Sequence, residues 1–380
     1  LDLQFTKEQM EYLQAVRLFA ETEVAEAVDQ MELHHTFPTH LIKRMAELGL
    51  MGIPIPKKWG GAESDFISYV IAIHEISKVS AAVGVILSVH TSVGTFPILR
   101  YGTNEQIAHY VPKLAAGEWL GAFALTESQA GSDAASIRMS AQFDGEFYIL
   151  NGVKQFITNA GAANTYITFA VTDRMQGTRG ITAFIVESGA EGLKVSRSEN
   201  KMGLHGSNTC ELVFDQVKVS AAQRLGLEGE GFAIAKGALD GGRIGIAAQA
   251  LGIAQAALQL IERHFSIRSN HPFPSQIKRS QPYEALAQMT ARVEAARLLV
   301  YHAAYLYQSG LPCTKEASTA KMFASDTAVS VTGDGVQLCG LTGCSKDFPL
   351  ERLFRDAKAT QIYEGTNEIH RIVISGKLLK

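Results

Sequence analysis

"IRMSAQFDGEFYILNG", residues Ile137 to Gly152, decides the fold. Its two halves alternate apolar and polar side chains about Asp144-Gly145, a pair suited to the positive backbone angles of a tight hairpin turn. Further strand patterns follow it: "TYITFAVT" (165–172), "GITAFIVE" (180–187) and "TCELVFDQVKV" (209–219), divided by Gly, Asn and Asp turns. Consecutive strands with no helix between them predict an antiparallel sheet or small barrel, not βαβ units. On both sides the texture is helical. Thr6 with Gln9 and Thr103 with Gln106 form capping boxes, and Met10, Leu13, Val16, Ala20 and Val24 recur at helical spacing. More helices are expected over 39–49, 66–79, 82–92, 230–265, 282–308 and 315–338, and a last one after Thr366. The chain therefore divides into a helical region (1–118), a β region (119–225) and a second helical region (226–380).

Composition narrows the function. A chain of 380 residues, 46% hydrophobic and 19% charged, is ordinary for a globular protein. Its net charge of −3 carries no basic footprint for nucleic acid. Four cysteines (Cys210, Cys313, Cys339, Cys344) include no CxxC pair and suit a reducing compartment. The opening "LDLQFTKEQMEYL" has no signal or transit pattern. The longest uninterrupted apolar run, "AAVGVILSV" (81–89), is well short of the ~20 residues a bilayer span needs. A soluble protein without membrane insertion is expected, in the cytoplasm, or in the mitochondrial matrix if a transit peptide has been removed. "GLEGEGF" and "GDGVQLCG" are not dinucleotide fingerprints, and no Walker loop, HExxH or GxSxG is present. His74-Glu75 fails as a zinc motif because Lys78 stands where a second histidine would.

Four stretches carry candidate chemistry, each with a bland alternative. In "GAFALTESQAGSDA" (121–134) the amides and hydroxyls of Thr126, Gly131 and Ser132 suit a polar ring edge or phosphate, or simply end a strand in a turn. In "NGVKQFITNAGAAN" (151–164) Phe156 and Thr158 share a strand face that would cover a flat cofactor, unless Phe156 is core. "LDGGRIG" (239–245) sets Asp240 three residues before Arg243, either an internal ion pair or a clamp for a ligand head. In "QIYEGTNEIHR" (361–371) Gly365 breaks the helix and Thr366 caps a new one, leaving Glu364 on a turn as a base or a loop acid.

Taken together, "PKKWGG", "ILSVHTS", "ALTESQAGSDA", "FITNAG", "MGLHGSNT" and "RDAKATQIYEGTNE" in a helical–β–helical chain resemble the acyl-CoA dehydrogenase family over nearly the whole length. The resemblance implies an N-terminal helical domain, a middle antiparallel β-barrel domain and a C-terminal four-helix bundle. It also implies FAD between barrel and bundle, in a homotetramer built as a dimer of dimers. Glu364 would then be the base that removes the α-proton of an acyl thioester, while the β-hydrogen leaves as hydride to flavin N5. The carbonyl would be held by the Glu364 amide and a flavin ribityl hydroxyl. Phe123, Leu125, Thr126, Gly131, Ser132, Phe156 and Thr158 match flavin-contacting positions. Ser132 and Gly365 also lie on the substrate side, with Asp240 and Arg243 at positions that hold coenzyme A. Gln337 and Gly340 match a turn gripping FAD from a neighbouring subunit, and Thr366 and Glu368 match the helix start that meets the cofactor. Arg268 matches an arginine on the FAD pyrophosphate, with Gln276 or Gln281 as its glutamine partner.

The sequence departs from the family pattern at four places: Ser128 for a frequent proline, Phe156 for a frequent tryptophan, Leu341 for a second glycine, and the irregular run 267–285. Members that carry the base on the helix of Asp240 are not matched, because Gly241 and Gly242 offer no acid there. "ILSVHTS" and "GLHGSNT" look like short-chain, butyryl-type members. The implied activity is dehydrogenation of a short- to medium-chain acyl-CoA to a trans-2-enoyl-CoA, with electrons passed to an electron-transfer flavoprotein. An oxidase on the same scaffold, or a flavin- or coenzyme A-binding protein without turnover, is the alternative.

Overall fold

The structure, a computed structural model, describes residues 4–269 and 282–379, without the side chains of 267–269 and 282. Helices α1 (Lys7–Phe19), α2 (Ala25–His34), α3 (Thr39–Glu47), α4 (Phe66–Val79), α5 (Ala81–Val89), α6 (Phe96–Tyr101) and α7 (Asn104–Ala115) come first. Both capping boxes form: Thr6 accepts from the Gln9 amide and Thr103 from the Gln106 amide, with each glutamine bonding back. Between α5 and α6 the chain widens into a π-helical turn, His90–Thr95, a form that recurs at functional sites.

The middle region holds β1 (Gly121–Ala124), β2 (Ser140–Phe143), β3 (Phe147–Thr158), β4 (Thr165–Val171), β5 (Ile181–Glu187), β6 (Leu193–Ser198), β7 (Thr209–Ser220) and β8 (Arg224–Leu225). The hairpin is β2–β3, registered from Ser140↔Asn151 to Phe143↔Tyr148. Its loop takes in Glu146 as well as Asp144-Gly145. Gly145 adopts φ 111°, and Asp144 Oδ1 accepts from the Glu146 and Phe147 amides at 3.0 and 2.8 Å.

The strand order is β6-β7-β3-β2-β4-β5-β8, with β1 beside β4. Two expectations are corrected here. The sheet is not purely antiparallel, because β1 and β2 both pair β4 in parallel. The cause is connectivity: two chain reversals separate β2 from β4, so both run the same way. Nor do the described strands close into a barrel, since no ladder joins β6 to β8. β4 is nonetheless buried on both faces. Ile167 and Phe169 join the large core shared with the helices, while Tyr166 and Ala170 join a second core with Leu150, Phe184 and Phe214.

The C-terminal region consists of α8 (Gly231–Ser269), α9 (Pro282–Gln308), α10 (Thr314–Cys339), α11 (Leu350–Thr360) and α12 (Asn367–Leu378). Three long helices and two short ones pack around α10 and α8, and α4 lies on α8 across the regional divide. α11 has no counterpart among the expected helices, although Leu350, Leu353 and Ala357 mark its buried face at helical spacing. Two helical runs are long and apolar enough to cross a bilayer, Ala81–Tyr101 and Gly231–Ser266, but they lie 94% and 78% buried inside the protein. They are core helices, and counting only uninterrupted apolar residues misses their length.

Candidate active site

The turn between α11 and α12 is unusual in its backbone. Glu364 takes φ 53° and Gly365 φ 92° in succession. A left-handed glutamate is uncommon and costs energy unless its surroundings over-determine it. They do so from three sides. Thr366 caps α12, its hydroxyl accepting from the Ile369 amide. Lys321 of α10, wholly buried, donates to the Gly365 carbonyl at 2.6 Å and to Asn367 Oδ1 at 3.1 Å. Asn367 Nδ2 in turn donates to Ser325 Oγ (2.9 Å) and Asp326 Oδ1 (2.7 Å), and Gln361 Nε2 donates to the same Asp326 oxygen. The chain leading into the turn is fixed by Tyr363, whose hydroxyl donates to Gln249 Oε1 of α8.

The residue retains some accessible surface, but the Glu364 Oε2 atom is sealed and has no hydrogen-bond partner among the described residues. It lies against α8 where the helix has no side chain: a Cβ at Gly242 would sit 2.7 Å from Oε2 and 3.3 Å from Val93 Cγ1 of the π-helical turn. Burial raises the carboxyl to about 7, against the opposing pull of Arg243 and Lys321. The same desolvation lowers Lys321 to about 7 and His370 to about 3. A carboxylate with a sealed, unpartnered oxygen and a value near neutrality is a candidate for proton exchange with a ligand.

Asp240 and Arg243 form the internal ion pair at 3.0 Å, with Thr314 Oγ1 donating to the other Asp240 oxygen at 2.7 Å. Arg243 is buried beside Ser318, and its Nε has no partner. The hydroxyl of Tyr307 is likewise buried and unpartnered, 2.9 Å from where a Gly241 Cβ would be. Two such polar atoms, Glu364 Oε2 and Tyr307 Oη, thus lie against the two glycines, and buried polar atoms of this kind normally find a partner.

The sheet supplies the opposite wall. Phe123 of β1 and Tyr363 of the turn pack on one apolar patch made by Val85, Val89, Val93, Ala238 and Ile246. Beyond β1 the chain is tied to β3: Gln155 N donates to Thr126 O at 2.9 Å, and Lys154 Nζ to Leu125 O at 2.9 Å. Lys154 also makes a buried ion pair with Glu127 at 2.8 Å, and Glu127 accepts from the Arg138 and Met139 amides. Leu125 and Thr126 are therefore held against Lys154 and Gln155, the residues that precede Phe156. Strict alternation does not survive there, because β3 is irregular between Lys154 and Ile157 and Phe156 takes φ 58°. The irregularity turns the Phe156 ring out of the core, 59% exposed, while Thr158 is half-buried. Gly131 and Ser132 are exposed, with nothing within 4 Å of a Cβ at Gly131.

Other expected residues stand apart within one chain. Gln337 and Gly340 are exposed at the far end of α10; at 1.5 Å per residue, Gln337 lies roughly 24 Å along the helix from Lys321. Glu368 is exposed and paired with Arg371. Arg268 belongs to α8, but its side chain lies outside the described residues, as do Gln276 and Gln281. His74 is an ordinary core histidine between Tyr301 and Gln255, and among the described residues no cluster could hold a metal ion.

Sequence reasoning overlooked Lys321, Asn367, Asp326, Lys154 and Glu127. Two of them leave a signal. Lys321 interrupts the apolar stripe Ala317, Ala320, Ala324, Ala328, and Lys154 falls on the inward register of Tyr148 and Leu150.

A helical–β–helical fold with a buried glutamate oxygen against Gly242 agrees with the sequence comparisons. The chain matches the family models "Acyl-CoA dehydrogenase, N-terminal domain" over residues 6–118, "middle domain" over 122–217 and "C-terminal domain" over 229–379. It is 56% identical over 374 residues, 98% of each sequence, to an acyl-CoA dehydrogenase of Bacillus subtilis. Among solved structures it matches butyryl-CoA dehydrogenase from Megasphaera elsdenii with 43% identity and a TM-score of 0.96 over the whole of both chains. A chain solved in work on the electron transferring flavoprotein of Acidaminococcus fermentans matches with 45% identity and a TM-score of 0.97, again over both whole chains. The chain belongs to the acyl-CoA dehydrogenase family, a family of flavoprotein oxidoreductases.

Proposed function

We propose that this protein removes two hydrogens from Cα and Cβ of a short-chain acyl-CoA, giving the trans-2-enoyl-CoA, with Glu364 as the base. The observation that carries this reading is the sealed, unpartnered Glu364 Oε2 held against Gly242, with its carboxyl raised to about 7. A carboxylate so placed takes a weakly acidic C–H proton more readily than one solvated at the surface. The α-proton goes to Glu364 and its electron pair forms the Cα–Cβ double bond as the β-hydrogen departs. Bound FAD supplies the acceptor for that hydrogen and its two electrons.

The residues present fit FAD. Phe156 presents an exposed ring beside Gln155, which bonds the Thr126 carbonyl, and the Gly131–Ser132 turn is open. These residues and Thr158 would hold the flavin. Arg268, Thr366 and Glu368, with Gln337 and Gly340 from a neighbouring subunit, would hold the remainder. The last pair requires an oligomer, in keeping with a homotetramer. Arg243, Ser132 and Gly365 face the substrate in this reading, with Asp240 fixing the arginine. The electron acceptor is an electron-transfer flavoprotein.

The test is anaerobic. Acyl-CoAs from butyryl to palmitoyl should bleach the yellow protein, fastest at the short end. Glu364→Gln should bind them without bleaching and should stop exchanging the substrate α-hydrogen with solvent. Exchange at the wild-type rate in that variant would move the base elsewhere, and peroxide formed without an added acceptor would make the protein an oxidase.

A further inference from the structure

The buried lysine beneath the turn has no role in the chemistry just described. Lys321 has no accessible surface and no carboxylate within ion-pair distance among the described residues; its partners are two carbonyl oxygens, Gly365 O and Asn367 Oδ1. A buried ammonium without a bonded counter-ion is costly. A neutral donor would tie down a carbonyl at lower cost, so bonding the turn does not by itself explain a lysine. What the ammonium adds is charge beside the carboxylate. The carbonyl it holds belongs to Gly365, so the gripped peptide leads out of the two left-handed residues into Thr366, the N-cap of α12. We propose that Lys321 is a positioning residue for the base: it fixes the turn after Glu364 through the Gly365 carbonyl, and in its charged form it favours the ionised Glu364 carboxylate.

This rests on Glu364 being the base. Several groups share the setting. Arg243 acts on Glu364 from α8 with the same sign as Lys321, and His370 of α12 stays neutral there. Asp326 of α10 and Glu368 of α12 favour the charged lysine. Tyr69, buried, and Tyr363, partly buried, remain protonated. Removing the lysine's charge leaves Arg243 as the remaining cation acting on the carboxylate, so Glu364 should bind its proton more tightly.

Single-turnover flavin reduction by butyryl-CoA, followed from pH 5.5 to 9 on FAD-loaded protein, reads this directly. In Lys321→Gln, which keeps an N–H donor, and Lys321→Met, which keeps neither donor nor charge, the acid limb should move to higher pH. Well below the limb each pH unit of displacement is about a tenfold loss of rate. At pH 9 Lys321→Gln should return close to wild type, whereas Lys321→Met should stay roughly tenfold or more below it because the turn is no longer held. Lys321→Arg, which keeps the charge, should leave the limb in place. Equal loss at all pH values in both neutral variants, with an unmoved limb, would make the lysine merely structural and overturn the proposal. Failure of both neutral variants to fold with FAD would overturn it too. Glu364→Gln separates the two readings: if it abolishes α-hydrogen exchange while the limb stays fixed in the lysine variants, only the lysine proposal falls. If it retains exchange, the base assignment falls as well.

Discussion

Glu364→Gln should make the protein more stable at alkaline pH, besides inactivating it. In the fold the carboxyl is raised from its ordinary 4.5 to about 7, chiefly by burial. The folded state therefore binds the proton more tightly than the unfolded chain. The stability that goes with that binding is complete below pH 4.5 and is lost as pH climbs through 7. At 1.36 kcal/mol per pH unit, keeping the carboxylate charged above pH 7 costs the fold about 3 kcal/mol. A glutamine is never charged and escapes this cost. Urea unfolding of the FAD-loaded wild type and variant at pH 5.5 and 8.5 isolates the effect, since the difference between them should widen by about 2 kcal/mol across that interval. A constant difference, or a variant that loses stability at pH 8.5, would refute the reasoning. It would mean that Arg243 and Lys321 bind the carboxylate as an ordinary ion pair instead of leaving it exposed to desolvation.

Gly242→Ala puts a methyl group 2.7 Å from Glu364 Oε2, and displacing a base by about 1 Å costs on the order of 100-fold; stopped-flow flavin reduction should show that loss with FAD content unchanged. Lys154→Met leaves Glu127 buried without its counter-ion, which should cost about 3–5 kcal/mol in urea unfolding, and Lys154→Met with Glu127→Leu should recover a large part of it. Phe156→Ala removes a ring that is 59% exposed and contributes little to the core, so thermal unfolding of the apoprotein should change little while FAD dissociates faster during gel filtration.

Much of this architecture was legible because it is local. Capping boxes, the Asp144-Gly145 hairpin and the helical spacing of α1 and α8 depend on residues three or four apart, and the structure forms each of them. What escaped was non-local. The parallel placement of β1 and β2 beside β4 follows from how reversals add up along the chain, which no short window displays. Phe156 shows the limit of periodicity. Regular alternation put it on a face with Thr158, but one irregular residue re-aims it outward, and the re-aiming is what exposes an aromatic surface to a ligand.

Glu364, the proposed base, shows the same division more sharply. "IYEGT" marks a turn with a carboxylate, because glycine and a capping threonine are local signals. Nothing in those five residues states that the carboxylate is sealed, left-handed and close to neutrality. Those properties come from Gly242 on α8, Val93 on the π-helical turn and Lys321 on α10, all remote in sequence. On the proposed reading, Glu364 is fitted to act as a base by the residues that deny it water and partners, while Arg243 and Lys321 pull against that desolvation. The absent side chain at Gly242 matters as much as the lysine, since it makes room for the carboxylate without offering a hydrogen bond. In that reading, activity depends on a balance between desolvation and the charges of Arg243 and Lys321, and changing either side should move the pH at which the enzyme works.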